Sequence, residues 1–209
     1  MTKLDELISR YPALECCRAE ISAAVNELIK TYRAGGKILI CGNGGSAADA
    51  EHISGELLKG FLSKRKMTES ERASFEAALG DGAKEYEDKL QRGIPALPLS
   101  SLSAALTAYA NDVDAEFSYA QLVFALGKKG DTLIAISTSG NSHNCVRAAE
   151  AAKACGIKTV ALTGKNESRL SAVCDVTVRV PETETFKVQE YHLPVYHYLC
   201  AAAEEAIFK

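Results

Sequence analysis

Two pairs of side chains in this sequence have the chemistry of metal binding or proton transfer. His52 and Glu56 stand four residues apart in a helical pattern and therefore share one helix face. Gln189 and His197 stand eight residues apart in the last helical pattern, about 80° apart around the helix. If the two helices meet, two imidazoles, a carboxylate and an amide converge. That set could bind a divalent metal such as zinc, or supply a base and an acid beside a carbonyl.

Other roles stay open for the remaining histidines and for one cysteine. A His/Glu pair one turn apart is also common on helix surfaces. His192 lies between Tyr191 and Leu193, which suits a core or interface histidine, and His143 near a helix start suits an exposed position equally well. Cys41 ends a predicted strand with no base in the local sequence, so we interpret it as a packing residue.

Two glycine-containing loops have the features of an anion site. Residues 41–46 (CGNGGS) and 137–142 (STSGNS) each follow a predicted strand and precede a predicted helix. Glycine lets the backbone approach a ligand, while the helix N-terminus offers amide donors and a positive dipole end. Neither loop is a Walker or a dinucleotide-binding motif. One such loop alone could be an ordinary turn, but two in one sheet favour a phosphate monoester bound by hydroxyls and amides.

The elements that must position these side chains alternate between strands and helices. This alternation predicts an α/β fold with right-handed crossovers and a mostly parallel sheet covered on both faces. A first helical segment over 3–33 breaks near Tyr11-Pro12, and the last helix contains Pro194, which should kink it. The predicted strands are 37–41, 94–99, 132–137, 158–163 and, at an edge, 176–180; the predicted helices are 46–62, 100–110, 115–126, 141–155 and 185–208.

Residues 63–92 interrupt the α/β pattern. Their thirty positions carry seven basic and seven acidic side chains and a weak helical stripe interrupted at 80–82 (GDG). We interpret this stretch as a charged helical insert or flap within a single domain that spans residues 1–209. A solvated insert without a function of its own is the alternative.

Composition and charge exclude several classes of protein. Twenty-four Lys and Arg against 27 Asp and Glu give a net charge of −3 over 209 residues, which argues against nucleic-acid binding by bulk electrostatics. No apolar run reaches the ~18–20 residues that span a bilayer, and the first residues lack a secretion signal, so we expect a cytoplasmic protein without a membrane partner. The seven cysteines include no C-x-x-C pair, unlike a disulfide framework or a zinc finger.

Taken together, these motifs resemble the sugar isomerase (SIS) domain family and, within it, the phosphoheptose isomerases. The resemblance rests on the glycine loop with His52 and Glu56 downstream, the serine-rich loop, and Gln189 with His197. It extends to Asn111-Asp112 and to residues 162–165 (LTGK) and 189–192 (QEYH). Nearly the whole chain is covered, with the exception of residues 63–92.

The resemblance implies a fold, a reaction and an assembly. The fold is a five-stranded parallel sheet flanked by helices, a flavodoxin-like three-layer sandwich. The reaction converts D-sedoheptulose 7-phosphate to D-glycero-D-manno-heptose 7-phosphate through an enediolate, the first step towards nucleotide-activated heptose. The assembly is a homotetramer with its sites at subunit interfaces. Such an aldose–ketose interconversion needs no redox or nucleotide cofactor.

The resemblance also implies roles for individual residues. Glu56 would be the base that moves a proton between C1 and C2, and His197 the acid that manages the oxygens. A zinc ion would be held by His52, Glu56, Gln189 and His197. The substrate would be bound by Asn43, Gly44, Gly45, Ser46, Asn111, Asp112, Ser137, Thr138, Ser139, Ser142 and Gln189.

The chain departs from the family pattern at three places. Residues 63–92 lengthen the segment between Glu56 and Asn111, and Phe186 stands where some relatives have an acidic residue. Gly60 stands where some relatives carry an arginine near the phosphate. Residues that could compensate for that arginine are Lys59, Lys64 and Arg65.

Two other functions compete with this one. A non-catalytic SIS protein could sense a sugar phosphate or bind a protein partner, but the presence of both Glu56 and His197 favours an enzyme. An isomerase of another phosphosugar is the second alternative, because a phosphate loop does not select the number of carbons. Turnover separates the first alternative from the enzyme, and the choice of substrate separates the second.

Overall fold

The computed structural model describes residues 2–209 and contains a five-stranded sheet. Its order is β2-β1-β3-β4-β5, and every neighbouring pair is parallel. The predicted α/β class and the predicted edge position of the last strand are confirmed. The strands are β1 (Ile38–Gly42), β2 (Ala96–Pro98), β3 (Thr132–Ile136), β4 (Lys158–Thr163) and β5 (Val176–Arg179).

The strand order reverses between β1 and β3. From β1 the chain crosses to β2 on one side of the sheet and then returns to build β3, β4 and β5 on the other side. In open α/β sheets, ligands bind at the carboxyl ends of the strands beside such a reversal. The loops at 41–46 and 137–142 leave the carboxyl ends of these two strands, so the topology brings them together.

Ten α-helices and several short 3-10 turns flank the sheet within the described residues. The break predicted near Tyr11-Pro12 is confirmed as a 3-10 turn, Pro12–Cys17. The last helix continues through the buried Pro194. The α-helices are α1 (Lys3–Arg10), α2 (Arg18–Arg33), α3 (Gly45–Leu58), α4 (Glu69–Leu79), α5 (Ala83–Lys89), α6 (Ser103–Tyr109), α7 (Ser118–Leu126), α8 (His143–Ala154), α9 (Arg169–Val173) and α10 (Thr185–Phe208).

Side chains that alternate along the strands build two cores. In β1, Ile38 and Ile40 point into the core that α2, α3 and α10 cover, whereas Leu39 and Cys41 point into the core under α7 and α8. Burial on both faces explains why the sequences of the strands are continuous apolar runs.

None of the helices in residues 2–209 combines the length and apolar character that a membrane crossing requires.

The charged segment forms a helical hairpin outside the sheet. Its helices α4 and α5 are joined by a 3-10 turn, and α4 contains no buried residue. The rings of Phe75 and Tyr86 pack 5.6 Å apart between the two helices. Gly80 adopts a φ of +54°, which favours glycine. The hairpin agrees with the predicted helical insert.

A buried ion pair anchors the root of this hairpin. The guanidinium of Arg65 donates to Glu204 of α10 at 2.8 Å and to the backbone oxygens of Glu56 and Leu57 at 3.0 and 2.5 Å. Glu204 also accepts from the backbone amides of Phe61 and Leu62, both at 2.8 Å. Helix α3 ends at Leu58 rather than at the predicted residue 62, because Arg65 takes up the last carbonyls of α3 from the loop that follows.

Candidate active site

Three of the four predicted metal or acid–base side chains meet where α3 packs against α10. The Nε2 atom of His52 lies 3.4 Å from Glu56 Oε1 and 3.4 Å from His197 Nε2. The side chain of His52 is 43% exposed and that of Glu56 16% exposed, so the cluster opens to solvent on the His52 side. The second Glu56 oxygen lies 3.2 Å from Lys59 Nζ. A carboxylate and two imidazoles at this spacing can exchange protons with a bound substrate.

Beneath this cluster, a chain of two further polar residues leads away from His52. The Nδ1 atom of His52 lies 3.0 Å from the hydroxyl of Tyr196, and that hydroxyl donates to Asp49 Oδ1 at 3.3 Å. Burial raises the pKa of Asp49, an effect that the hydrogen bond from Tyr196 opposes. Burial and the nearby Asp49 carboxylate raise the pKa of Tyr196, so the phenol keeps its proton. Asp49, His52 and Glu56 thus line one stripe of α3.

The protonation of His197 follows from its surroundings. Burial lowers the pKa of His197, the neighbouring His52 lowers it further, and Glu56 acts in the opposite direction. The His197 ring packs edge-on against the rings of His52 and Tyr196, with centroids 5.0 and 5.1 Å away. A neutral imidazole held in this way can take a proton from one oxygen and deliver it to the next.

Gln189 lies apart from the other three predicted ligands. Its amide packs over the start of α3 against Gly45, so a side chain at position 45 would displace it. Along α10, the eight residues between Gln189 and His197 correspond to about 12 Å of helix rise. Within one chain, Gln189 therefore belongs to the glycine loop rather than to the His52 cluster.

The His52 cluster fits a divalent metal in part. Within residues 2–209, no set of three or more His, Cys, Asp or Glu side chains converges closely enough to enclose a metal ion as it stands. The two 3.4 Å separations around His52 nevertheless equal the ligand–ligand spacing in a tetrahedral zinc site, about 3.3–3.4 Å for bonds of ~2.0–2.1 Å. The pairs His52–Glu56 and His52–His197 thus already have the spacing of zinc ligands. Movement of Glu56 towards His197 would give the third pair that spacing.

The serine-rich loop presents a second polar surface. Ser142 precedes α8 but its side chain does not cap that helix. Its hydroxyl instead lies 2.9 Å from that of Ser137, which is buried. The Ser139 hydroxyl accepts from the backbone amide of Asn141 at 3.1 Å. Of the first amides of α8, that of Cys145 donates to Asn144 Oδ1 at 3.0 Å, which leaves those of His143 and Asn144 for an anion. A cavity of about 260 Å³ opens beside this loop, lined by Thr138, Ser139, Asn141, Gly164, Lys165, Asn166, Glu167, Glu182 and Thr183.

A pair of amides joins the glycine loop to α8. Asn43 and Asn144 exchange two hydrogen bonds, 2.8 and 2.9 Å long. Gly44 has a φ of +55° and turns the chain into α3, with Ser46 buried behind it. The Tyr119 hydroxyl donates to the Gly42 carbonyl at 2.6 Å and supports the loop from the opposite core. The two predicted loops therefore form one surface.

The predicted sugar ligands Asn111 and Asp112 lie in an exposed π-helical turn, Ala110–Asp114.

Comparison with known proteins identifies the family. The sequence profile of the SIS domain family matches residues 5–97 and 91–164. A phosphoheptose isomerase from Rhodospirillum rubrum is 36% identical over 191 residues, which cover 91% of this chain and 88% of that protein. One from Aneurinibacillus thermoaerophilus is 38% identical over 189 residues, covering 90% and 82%. The structure of phosphoheptose isomerase from Neisseria gonorrhoeae has a TM-score of 0.75 at 30% identity, covering 96% of this chain and 94% of that one. The chain belongs to the phosphoheptose isomerase family.

Three basic residues could compensate for the arginine that some phosphoheptose isomerases carry near the phosphate, and the structure gives each of the three different contacts. Arg65 is 2% exposed and bound to Glu204, so it is not available to a phosphate. Lys59 pairs with Glu56, and Lys64 borders the helical hairpin. Lys165 is exposed and lines the cavity beside the serine-rich loop.

Three residues for which the sequence left other roles open make contacts that suit a structural role. His143 forms an exposed pair with Glu116, with 2.8 Å between Nδ1 and Oε1. His192 is buried with its Nε2 atom 3.3 Å from the carbonyl oxygen of Thr163, and burial lowers its pKa to about 4. A hydrogen bond with Cys145 and burial raise the pKa of the Cys41 thiol well above its usual range, which suits a packing residue.

Sequence reasoning missed Asp49, Tyr196 and Arg65. Asp49 could have been found, since it precedes His52 by three residues and Glu56 by seven on the same helical stripe. Tyr196 stands directly before His197, but nothing in the sequence indicates that it reaches His52. Arg65 stands within a charged run, where a buried ion pair is unexpected.

Proposed function

We propose that this protein is a ketose–aldose isomerase of sugar phosphates, with D-sedoheptulose 7-phosphate as substrate and D-glycero-D-manno-heptose 7-phosphate as product. The observation that carries the proposal is that Glu56 Oε1 and His197 Nε2 each lie 3.4 Å from His52 Nε2, in a chain of the phosphoheptose isomerase family. The similarity to proteins named phosphoheptose isomerase supports this choice among phosphosugars and a place in nucleotide-activated heptose biosynthesis.

Two side chains would move the protons. Glu56 takes a proton from C1 of the ketose, and the electron pair flows into an enediolate with its charge on O2. His197, neutral at the start, accepts the O1 hydroxyl proton and passes it to O2. Glu56 then returns its proton to C2, which leaves an aldehyde at C1 and a hydroxyl at C2. Proton transfers of this kind contribute about 10²–10⁴-fold to rate.

A zinc ion is part of the proposal. His52, Glu56 and His197 supply two nitrogens and an oxygen suited to zinc. The fourth ligand that the family resemblance suggests, Gln189, lies against Gly45 in the single chain and would have to move to reach the metal. When bound, the metal would supply positive charge that polarises the carbonyl and stabilises the enediolate. A neutral imidazole has one lone pair, so His197 takes up the O1 proton only where that lone pair is not bound to the metal.

The loops would hold the rest of the substrate. Hydroxyls and amides of the serine-rich loop, Ser137, Thr138, Ser139 and Ser142, would bind the phosphate at the N-terminus of α8. The sugar hydroxyls would contact Asn43, Gly44, Gly45 and Ser46 of the glycine loop, the Gln189 amide above it, and Asn111 and Asp112.

We propose in addition that copies of the chain assemble, as a tetramer with sites at subunit interfaces. Two large apolar side chains beside α7 are exposed in the single chain, Phe124 by 71% and Val113 by 66%. A groove of about 540 Å³ there is lined by Phe117, Phe124 and Cys155. Sedimentation equilibrium tests the assembly. The seven free cysteines support a reducing compartment, the cytoplasm.

Proton NMR of D-sedoheptulose 7-phosphate with the purified protein tests the function. We expect aldoheptose phosphate signals to grow with the native protein, and Glu56→Gln to lower the rate by at least 10²-fold. Glu51→Gln on the same helix is the matched control, because Glu51 is exposed and its carboxylate accepts a hydrogen bond from Ser101, at 3.2 Å, away from the His52 cluster. Near-normal turnover by Glu56→Gln would overturn the assignment of the base.

The alternatives predict different outcomes of the same assay. No conversion with or without zinc, together with conversion of a hexose or pentose phosphate, would establish another isomerase. Binding without turnover of any phosphosugar would establish a sensing or partner-binding protein. Full activity after removal of metal by a chelator would remove zinc from the proposal and leave a purely acid–base site.

A further inference from the structure

The hydrogen bonds beneath His52 determine which of its ring nitrogens carries the proton. Tyr196 has a single hydroxyl proton, and the geometry directs it to Asp49 Oδ1 at 3.3 Å. An ionised carboxylate only accepts hydrogen bonds. With the Tyr196 proton on Asp49, the Tyr196 oxygen accepts from His52, whose Nδ1 atom lies 3.0 Å away. In this arrangement Nδ1 of His52 carries the proton and Nε2 carries the lone pair.

That lone pair points into the cluster. The Nε2 atom of His52 faces Glu56 Oε1 and His197 Nε2, each 3.4 Å away. With the opposite tautomer, Nε2 would present a proton there and could neither accept a proton nor hold a metal. The choice of tautomer therefore decides what the cluster can do.

Burial makes the arrangement rigid. Tyr196 is 1% exposed, and its ring packs edge-on against His52 with centroids 5.4 Å apart. Asp49 Oδ2 is buried and has no hydrogen-bond partner among the described residues, so the Asp49 carboxylate reaches the site only through the Tyr196 hydroxyl. One stripe of α3 supplies Asp49 and His52, and α10 supplies the hydroxyl between them.

We propose that Asp49 and Tyr196 are positioning residues that hold His52 in its Nδ1-protonated tautomer and present its Nε2 lone pair to Glu56, His197 and a metal. This inference deepens the proposed function and rests on it for the catalytic consequence. Groups that hydrogen-bond to the outer nitrogen of a metal-binding histidine commonly change metal affinity by about 10–100-fold when removed.

Nitrogen-15 NMR of histidine-labelled, metal-free protein tests the tautomer directly. We expect His52 of the native protein to be protonated at Nδ1. In Tyr196→Phe, which keeps the ring and removes the hydroxyl, we expect a mixture or a shift towards Nε2 protonation. Asp49→Asn keeps an acceptor without the charge and should give a smaller change. Tyr198→Phe, on the same helix, is the matched control and should leave His52 unchanged.

Zinc affinity and kinetics provide the second set of measurements. Competition with a chromophoric chelator should show zinc binding weakened about 10–100-fold in Tyr196→Phe and less in Asp49→Asn. The kcat should fall in the same order, with KM within about twofold. An Nε2-protonated His52 in the native protein, or an unchanged tautomer and zinc affinity in Tyr196→Phe, would overturn the inference. A shifted tautomer in a protein without isomerase activity would instead overturn the proposed function alone.

Discussion

The His52 cluster and the serine-rich loop are two halves of one candidate site, yet they are built differently. The cluster joins side chains 145 residues apart, on α3 and α10, and buried polar groups support it from below. The loop takes its polar groups from six consecutive residues, whose hydroxyls and amides bond largely to each other. The geometry of the cluster therefore depends on helix packing, whereas the geometry of the loop depends on local backbone shape.

The largest expected effect concerns the support of the cluster. In Arg65→Met, Glu204 is left buried without its cation and the last carbonyls of α3 lose their donor, so we expect unfolding free energy to fall by about 3–5 kcal/mol. Burial raises the pKa of the Glu204 carboxyl, but hydrogen bonds from Phe61 and Arg65 outweigh this effect and keep the net pKa below its usual range. Glu204 is therefore ionised. Urea unfolding at pH 7.5 measures the change.

The hairpin offers a matched control for this variant. Arg72 pairs with Glu87 at 3.0 Å, but both side chains are more than a third exposed. Arg72→Met should therefore leave the unfolding free energy almost unchanged, because an exposed ion pair contributes little. Similar losses in the two variants would contradict the view that the root of the insert, and not the hairpin, supports α3 and α10.

A smaller effect is expected from His192, which links α10 to the end of β4. Because burial lowers its pKa from 6.5 to about 4, only the unfolded chain takes up the proton between these values. Stability should therefore fall as the pH drops below 6.5, with His192 contributing about 2 kcal/mol of loss by pH 5. Urea unfolding of the native protein and of His192→Gln, at pH 7.5 and pH 5, isolates this part. Equal losses in both proteins would argue against a neutral buried His192.

The smallest effect is expected in the loop. Ser142→Ala removes one hydroxyl from the proposed phosphate site, and a hydrogen bond to an anion contributes about 1.5 kcal/mol at the lower end. We expect KM for the sugar phosphate to rise about 10-fold with kcat within about twofold. Ser74→Ala is the control, since its hydroxyl donates to the Ser70 carbonyl on the exposed hairpin. A fall in kcat with constant KM would indicate that Ser142 contacts the reacting atoms rather than the phosphate.

The strands, the helical insert and the two loops could be predicted from the sequence because local patterns carry them. Short apolar runs indicated the five strands, and a weak helical stripe within the charged residues 63–92 indicated the hairpin that the structure forms at 69–89. The end of α3 was predicted four residues too late, because the group that ends it, Arg65, acts from the following loop. The five-residue α9 was missed, because so short a segment has little periodicity.

The sequence by itself predicted the class of fold, the two candidate anion-binding loops and the candidate acid–base residues, since each depends on residue types within one short segment. Only the tertiary structure decided that His52 meets His197, that Tyr196 joins His52 to Asp49, and that Gln189 lies over Gly45 instead. The physical reason is that these contacts depend on the rotation and height at which α10 packs on α3. Many buried side chains of both cores set that packing together, and no single stretch of sequence records it.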